Sequence, residues 1–334
     1  VTELSQVWAV QESSEVGAAR RAAAALAQRC GFETVPAGQL AIVVTELASN
    51  LVKHGGGGTL IARTLRLEGK VGIEVLSLDQ GPGISEIARV LQDGYSTAGT
   101  AGNGLGAVRR LSSDFDLYSR PAGGTAVLAT VWNGSPPPPA WDVGAVALPY
   151  PGLEVSGDSW AVREYLQGAW MMVVDGLGHG LAAHAAAESA ERAFAGLVSR
   201  DPASGMMALH RLLRATRGAV AALAEVDLQA GRVRLAGVGN IHTVMVRPDG
   251  QRIFPNQNGT LGQQVPEPRE FALPWPQGSA LIMHSDGLRG SWNLARYPGL
   301  LHRRAALIAG VLYRDFVRGR DDATVVVLKE GGAR

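Results

Sequence analysis

Apolar residues recur every three or four positions in two stretches near the start of the chain, then alternate or run together through much of the remainder. Gly17–Cys30 reads as an Ala/Arg-rich helix and Ala37–His54 as a second. In the second, Val43, Leu47 and Leu51, with Val44 beside them, form a core-facing stripe. Glu46, Asn50 and His54 form a polar stripe next to it, because residues four apart share a helix face. The next stretch, "TLIARTLRLEGKVGIEVLSLDQG", predicts two strands turning near Gly69 and ending in an Asp–Gly loop. A helix over Ile84–Leu91, the loop "DGYSTAGTAGNGLG", a helix from Ala107 and a hairpin turning at Pro121–Gly124 follow. Helices and mostly antiparallel strands in this order predict a two-layer α/β sandwich.

The pattern breaks at "WNGSPPPPAWD", Trp132–Asp142. Consecutive prolines neither continue a helix nor sit inside a sheet, and they form a stiff extended spacer. The expected organisation is a domain over 1–132, a Pro-rich linker over 133–142 and a second domain over 143–330. Beyond the linker, strand-like runs extend from "VGAVALPY" to "ATVVVLK". Helices over Leu181–Val198 and Ala203–Arg217 interrupt them, and a last helix lies near Leu300–Val317. Hairpin-linked strands with a helical pair predict a β-sandwich flanked by helices. The whole chain is therefore expected to be α/β with two domains.

Composition changes this picture little. The chain has 334 residues, 46% hydrophobic and 18% charged, enough for a core in each half. A net charge of +1 with scattered Lys and Arg argues against a nucleic-acid partner. No apolar run approaches membrane-spanning length by this reading, and no signal-peptide pattern opens the sequence, so no membrane partner is expected. The single cysteine, Cys30, excludes an internal disulfide framework and fits a reducing cytoplasm; it reads as a small buried hydrophobe.

Candidate chemistry falls in two groups. In the first half, Asp79 ends a strand and precedes Gly81 and Gly83; a carboxylate there can accept from an exocyclic amine while glycines let backbone approach a planar base. Gly102, Gly104 and Gly106 precede the helix at Ala107, where free N–H groups and the helix dipole favour phosphates. Asn50 can offer a neutral oxygen to magnesium, and Glu46, one turn earlier, can accept a proton from an attacking hydroxyl. In the second half, Asp158, Asp175, Asp286 and the Asp321–Asp322 pair sit at strand ends beside small residues. Carboxylates brought together call for hard divalent cations, and the glycine after Asp175 lets its backbone carbonyl approach one. No Cys/His cluster offers a zinc site.

"ELASN", "DQGPGI" and "GNGLGAVRRL" resemble the N-box and glycine boxes of the GHKL (Bergerat-fold) ATPase/kinase superfamily, most of all its small serine/threonine switch kinases of the RsbT, RsbW and SpoIIAB kind. The resemblance implies ATP and magnesium as cofactors, Glu46 as general base, Asn50 as magnesium ligand and Asp79 as adenine reader. Gly81 and Gly83 would flank the base, Gly102, Gly104 and Gly106 would hold phosphates, and Thr125 would match the Gly-Thr near the adenine pocket. No phosphoacceptor-histidine helix precedes the domain, so His54 reads as a helix-end residue meeting the dipole. "GDS", "DGLGHG", "GVGN", "SDG" and "DDAT" resemble the metal-dependent PPM phosphatases of the SpoIIE/RsbX branch. That implies two manganese or magnesium ions held by Asp158, Asp175, the Gly176 carbonyl, Asp286 and Asp321, with Asp322 in reserve and "GVGN" a structural turn. His179 and His284 read as loop and strand-packing residues, and no phosphate-binding arginine can be assigned.

Together these predict a cytoplasmic bifunctional switch: a protein serine/threonine kinase joined to a phosphoserine/phosphothreonine phosphatase. The expected substrate is a STAS-domain anti-sigma antagonist or stressosome scaffold, with a sigma factor or downstream phosphatase as further partners. Two alternatives stand beside it: an ATP-binding anti-sigma or activator module that transfers no phosphate, and a phosphatase half that is only a scaffold.

Overall fold

The computed structural model describes residues 5–87, 104–136 and 140–331. They divide into two compact units, Ser5–Pro138 and Pro139–Arg334.

The first unit opens with strand β1 (Gln6–Val10), which the sequence reading does not include, followed by helices α1 (Ser13–Arg29) and α2 (Thr34–Asn50). Glu12 and Glu15 start α1 with a reciprocal capping box. Strands β2 (Gly58–Leu67) and β3 (Lys70–Leu78), helix α3 (Gly104–Leu111) and strands β4 (Asp114–Ser119) and β5 (Thr125–Trp132) follow. The strands form one antiparallel sheet, ordered β1-β2-β3-β5-β4. Its inward positions, among them Leu60, Ala62, Ile73, Val75, Val127 and Ala129, pack against the buried stripe Val43, Val44, Leu47 and Leu51 of α2. Each large apolar side chain buried this way contributes about 1.5–3 kcal/mol.

Three expectations change here. The α-helix stops at Asn50 and Leu51–Gly55 is a π-helical turn, so the four-residue polar stripe ends at Asn50 and His54 lies exposed in the turn. Residues Ile84–Glu86 are outside any helix, and the remainder of that expected helix lies beyond the described residues. Helix α3 is already formed at Gly104 rather than from Ala107, so Gly104 and Gly106 are both helical. A fourth correction concerns apolar length. The continuous Thr34–Gly55 helical stretch is long and apolar enough to cross a membrane by length and composition. Its apolar face is occupied by the unit's own core, as the burial of Leu40, Val43, Val44 and Leu47 shows.

The second unit holds two five-stranded sheets. One contains β7 (Asp158–Tyr165), β8 (Gly168–Gly176), β9 (Ala219–Asp227), β10 (Arg232–Val238) and β13 (Phe271–Pro274), in the order β13-β10-β9-β8-β7. The other contains β6 (Trp141–Leu148), β11 (His242–Arg247), β12 (Gly250–Ile253), β14 (Ala280–His284) and β15 (Ala323–Glu330), in the order β12-β11-β14-β15-β6. The short strands β12 and β13 are absent from the sequence reading. Met171, Val173, Ala222 and Leu235 of the first sheet meet Ala145, Met245, Met283 and Val326 of the second in a shared core. The opposite face of the first sheet, including Met172, Val174 and Leu223, is covered by helices α4 (Leu181–Gly196) and α5 (Pro202–Leu212) through Ala186, Phe194 and Met206. This double coverage explains why "MMVV" in β8 is a continuous apolar run. Helix α6 (Ala305–Phe316) covers the second sheet, and a Cβ on Gly144 would come within 2.0 Å of Ala306 N, so this packing requires glycine. The result is a β-sandwich between helical layers.

Candidate functional site

In the first unit, Asp79 follows β3 and is held by backbone. Its Oδ1 accepts from Gly81 N at 2.9 Å and from Thr125 N at 3.0 Å, while Asp79 N donates to Thr125 O at 3.0 Å. Thr125 Oγ1 lies 3.0 Å from Ser119 Oγ, which accepts from Ile84 N at 2.8 Å. Gly83 and Gly124 both have positive φ, and a Cβ would stand 1.9 Å from Arg120 O at the first and 2.1 Å from Asp79 O at the second. Gly81 packs on the π-helical turn: its Cβ would meet Gly55 O at 2.8 Å. Glycine is thus demanded on both sides of Asp79.

Glu46 and Asn50 are half-buried and one turn apart. Both face Gly104, where a Cβ would lie 3.0 Å from Glu46 Oε2 and 3.6 Å from Asn50 Oδ1. Asn50 Nδ2 is buried without a hydrogen-bond partner among the described residues, the mark of a side chain whose surroundings are completed by something else. Glu46, Asn50 and Gly104 are therefore brought together, and Asp79, Gly81, Gly83 and Thr125 form a second connected group. Gly106 is buried in α3, and Gly102 lies outside the described residues. This donor set, a carboxamide oxygen beside a carboxylate, both facing Gly104 of α3, suits a magnesium nucleotide.

In the second unit the aspartates meet at one end of the sandwich. Asp158, which starts β7, pairs in register with Asp175 near the end of β8. Asp286 lies just after β14 and Asp321 just before β15, so the other sheet supplies them. A cavity of ≈ 820 Å³ is lined by Asp175, Asp286 and Asp321 together with His179, Asn240 and Arg320. Asp158 is buried behind it and accepts from Ser285 Oγ at 2.6 Å; Ser285 Oγ in turn accepts from Thr324 N at 3.1 Å, a stitch between the two sheets. Gly176 closes β8, where a Cβ would strike Ala183 O at 2.2 Å, so contact with α4 also demands this glycine.

Electrostatics mark this end as short of positive charge. Burial, reinforced by Asp322 and Asp321 and opposed by the Ser285 hydrogen bond, pushes the Asp158 carboxyl up to about 7. Burial and then the charges of Asp158, Asp286, Asp321 and Asp322 push Asp175 up to about 9. Asp286 is also raised, by burial and then Asp321, against the pull of Arg318 and Asn240. No group of three or more His, Cys, Asp or Glu among the described residues is gathered into a ready-made cage, so these carboxylates repel across the cavity without closing on a point. Hard oxygen donors that raise one another in this way are the set a divalent cation neutralises.

Several contacts were not legible in the motifs. Asn240 Nδ2 of "GVGN" donates to Asp286 Oδ2 at 2.9 Å, so this segment does more than turn the chain. Asp322 accepts from Tyr150 N and Gly157 N, both at 2.7 Å, which makes it a staple on the β6–β7 connection rather than a cavity group. His284 donates through Nδ1 to Ser285 O at 2.7 Å and accepts at Nε2 from Trp292 Nε1 at 3.0 Å; it packs within the strand, as expected. Nothing local in the sequence signals Ser285, because its two partners lie 127 and 39 residues away.

A nucleotide-type α/β sandwich and an acidic-mouthed β-sandwich between helices together define a kinase-like ATPase unit joined to a metal-dependent phosphatase-type unit. The chain belongs to the histidine kinase-like ATPase domain family over residues 9–131 and to the Stage II sporulation protein E (SpoIIE) family over residues 167–330. It is 36% identical over 118 residues to the serine/threonine-protein kinase RsbT of Bacillus subtilis (strain 168), covering 35% of this chain and 89% of RsbT. A structure reported under "The bacterial stressosome: a modular system that has been adapted to control secondary messenger signaling" matches with a TM-score of 0.53 and 30% identity, over 57% of this chain and 99% of the other. The phosphatase domain of Bacillus subtilis SpoIIE with a fragment of its regulatory domain matches with a TM-score of 0.49 and 19% identity, over 82% of each chain.

Proposed function

We propose that the chain is a two-activity regulatory switch, an ATP-dependent protein serine/threonine kinase over 1–132 and a metal-dependent phosphoserine/phosphothreonine phosphatase over 143–330. The observation that carries this reading is that each site gathers its polar groups at a shared space: Glu46 with Asn50 at Gly104, and Asp175, Asp286 and Asp321 around one cavity. In the kinase half, Glu46 would take the proton from the attacking hydroxyl, Asn50 would hold the nucleotide's magnesium through its carboxamide oxygen, and Asp79 would accept from the base amine. Gly81, Gly83, Gly104, Gly106 and Thr125 would frame the nucleotide. In the phosphatase half, the metal-holding set is Asp158, Asp175, the Gly176 carbonyl, Asp286 and Asp321. Bound there, manganese or magnesium supplies Lewis acidity and an activated water to a phosphorus centre. Asn240 orients Asp286, and Ser285 holds Asp158 in place.

RsbT is named a serine/threonine-protein kinase, and a stressosome structure is among the relatives, which supports a STAS-domain stressosome or anti-sigma partner as substrate. The test has two arms. Labelled ATP with a STAS-domain partner should label the partner, with Glu46→Ala as control; ATP binding without transfer would favour the binding-module reading. Manganese-dependent hydrolysis of a phosphoserine peptide should be abolished by Asp175→Ala or Asp286→Ala, and no turnover in the unaltered chain would reduce that half to a scaffold.

A further inference from the structure

A cavity walled by carboxylates is a poor place for a phosphate dianion even after cations have neutralised those carboxylates, unless something else takes the outward oxygens. The motifs supply no such group. The structure offers two guanidinium groups. Arg320 lines the cavity beside Asp321, and Gly319 before it has a φ of +66°, a left-handed turn that glycine adopts freely. Arg217 comes from the segment between α5 and β9: a Cβ on Gly178, itself a lining residue, would meet Arg217 Nη1 at 3.1 Å. Neither guanidinium makes a hydrogen bond or ion pair among the described residues, although the adjacent Asp321 offers a carboxylate. An arginine beside acids normally pairs with one. Both residues are exposed, so each planar fork is uncommitted at the cavity's solvent side and is placed for a ligand with two or more anionic oxygens.

We propose that Arg320, with Arg217 at the rim, grips the phosphoryl oxygens of the substrate and so sets its affinity. This rests on the phosphatase reading above. A phosphate monoester presents oxygens on both sides: those turned inward face the metal-holding carboxylates, and those turned outward accept from the Arg320 fork. Lysine at this position keeps the charge and loses the two-pronged geometry.

The test uses the full chain with manganese and a phosphoserine peptide. Arg320→Ala should raise KM by about tenfold or more with a smaller fall in kcat, Arg320→Lys should recover part of the loss, and Arg217→Ala should have a weaker effect of the same kind. Inhibition by inorganic phosphate should weaken in parallel, while manganese affinity measured calorimetrically stays within about twofold. An unchanged KM and unchanged phosphate inhibition in Arg320→Ala would overturn the proposal. So would a manganese affinity that falls in proportion to KM, because the arginine would then act through Asp321. If the unaltered chain hydrolyses nothing yet binds inorganic phosphate in an Arg320-dependent manner, the phosphate grip stands and the phosphatase reading fails.

Discussion

The two sites solve opposite electrostatic problems. Around Asp79 the protein has already satisfied its carboxylate: Gly81 N and Thr125 N donate to it, and glycines hold the backbone where a Cβ could not fit. Around Asp175 the protein has gathered charge that it leaves uncompensated, so burial and neighbouring carboxylates raise Asp158, Asp175 and Asp286 together. The backbone anchorage of Asp79 is in place before anything binds, while Asn50 Nδ2 nearby is left for a ligand. The second site is under strain until positive charge arrives. A removed carboxylate should therefore have opposite consequences for stability in the two places.

The largest expected effect tests this directly. In chelator-treated protein at pH 8, Asp79→Ala should destabilise the first unit by about 1–3 kcal/mol, because two backbone donors lose their acceptor. Asp175→Asn should raise the unfolding midpoint of the second unit under the same conditions, while removing its manganese-dependent stabilisation. Thermal unfolding of both variants decides it, and a fall in both would end the contrast.

A middle-sized effect is the pH profile without metal. Burial and the neighbouring carboxylates push Asp158 up to about 7 and Asp175 up to about 9, above the ordinary aspartate value. The native state thus holds protons that the unfolded state has released, and the contribution to stability falls as pH rises from about 4 through 7 to 9. Denaturant unfolding of the chelated second unit between pH 5 and 9 should show this decline, and manganese should flatten it. A profile that rises with pH would contradict it.

The smallest effect sharpens the view of the first site. Gly55 closes the π-helical turn, and a Cβ there would stand 2.8 Å from Asp79 Cβ. Gly55→Ala should weaken nucleotide binding several-fold by displacing Asp79 while costing stability only about 1 kcal/mol. Titration with ADP measures the first and denaturant unfolding the second.

Much of this was legible in the chain because its signals are local. The four-residue spacing of Val43, Leu47 and Leu51 identified a buried helix face, and the strand runs of the second unit mark most of its two sheets. Strand β1 escaped because "QVWAV" is a five-residue edge strand, and β12 and β13 because four residues carry too little periodicity. The π-helical turn escaped because "LVKHG" continues a helical pattern; packing of Gly55 against Asp79 and Gly81 accompanies the change in winding.

The sequence by itself determined which residue types stand at strand ends and helix starts, since turn chemistry and hydrophobic period depend on neighbours a few positions apart. It therefore announced Asp79 before its glycines and each aspartate of the second half. Only the tertiary structure decided that Asp322 is a staple while Asp321 faces the cavity, that Ser285 binds Asp158, and that Arg320 shares the cavity with three carboxylates. Those outcomes depend on strands more than a hundred residues apart arriving at the same end of a sandwich, and no spacing along the chain encodes that meeting.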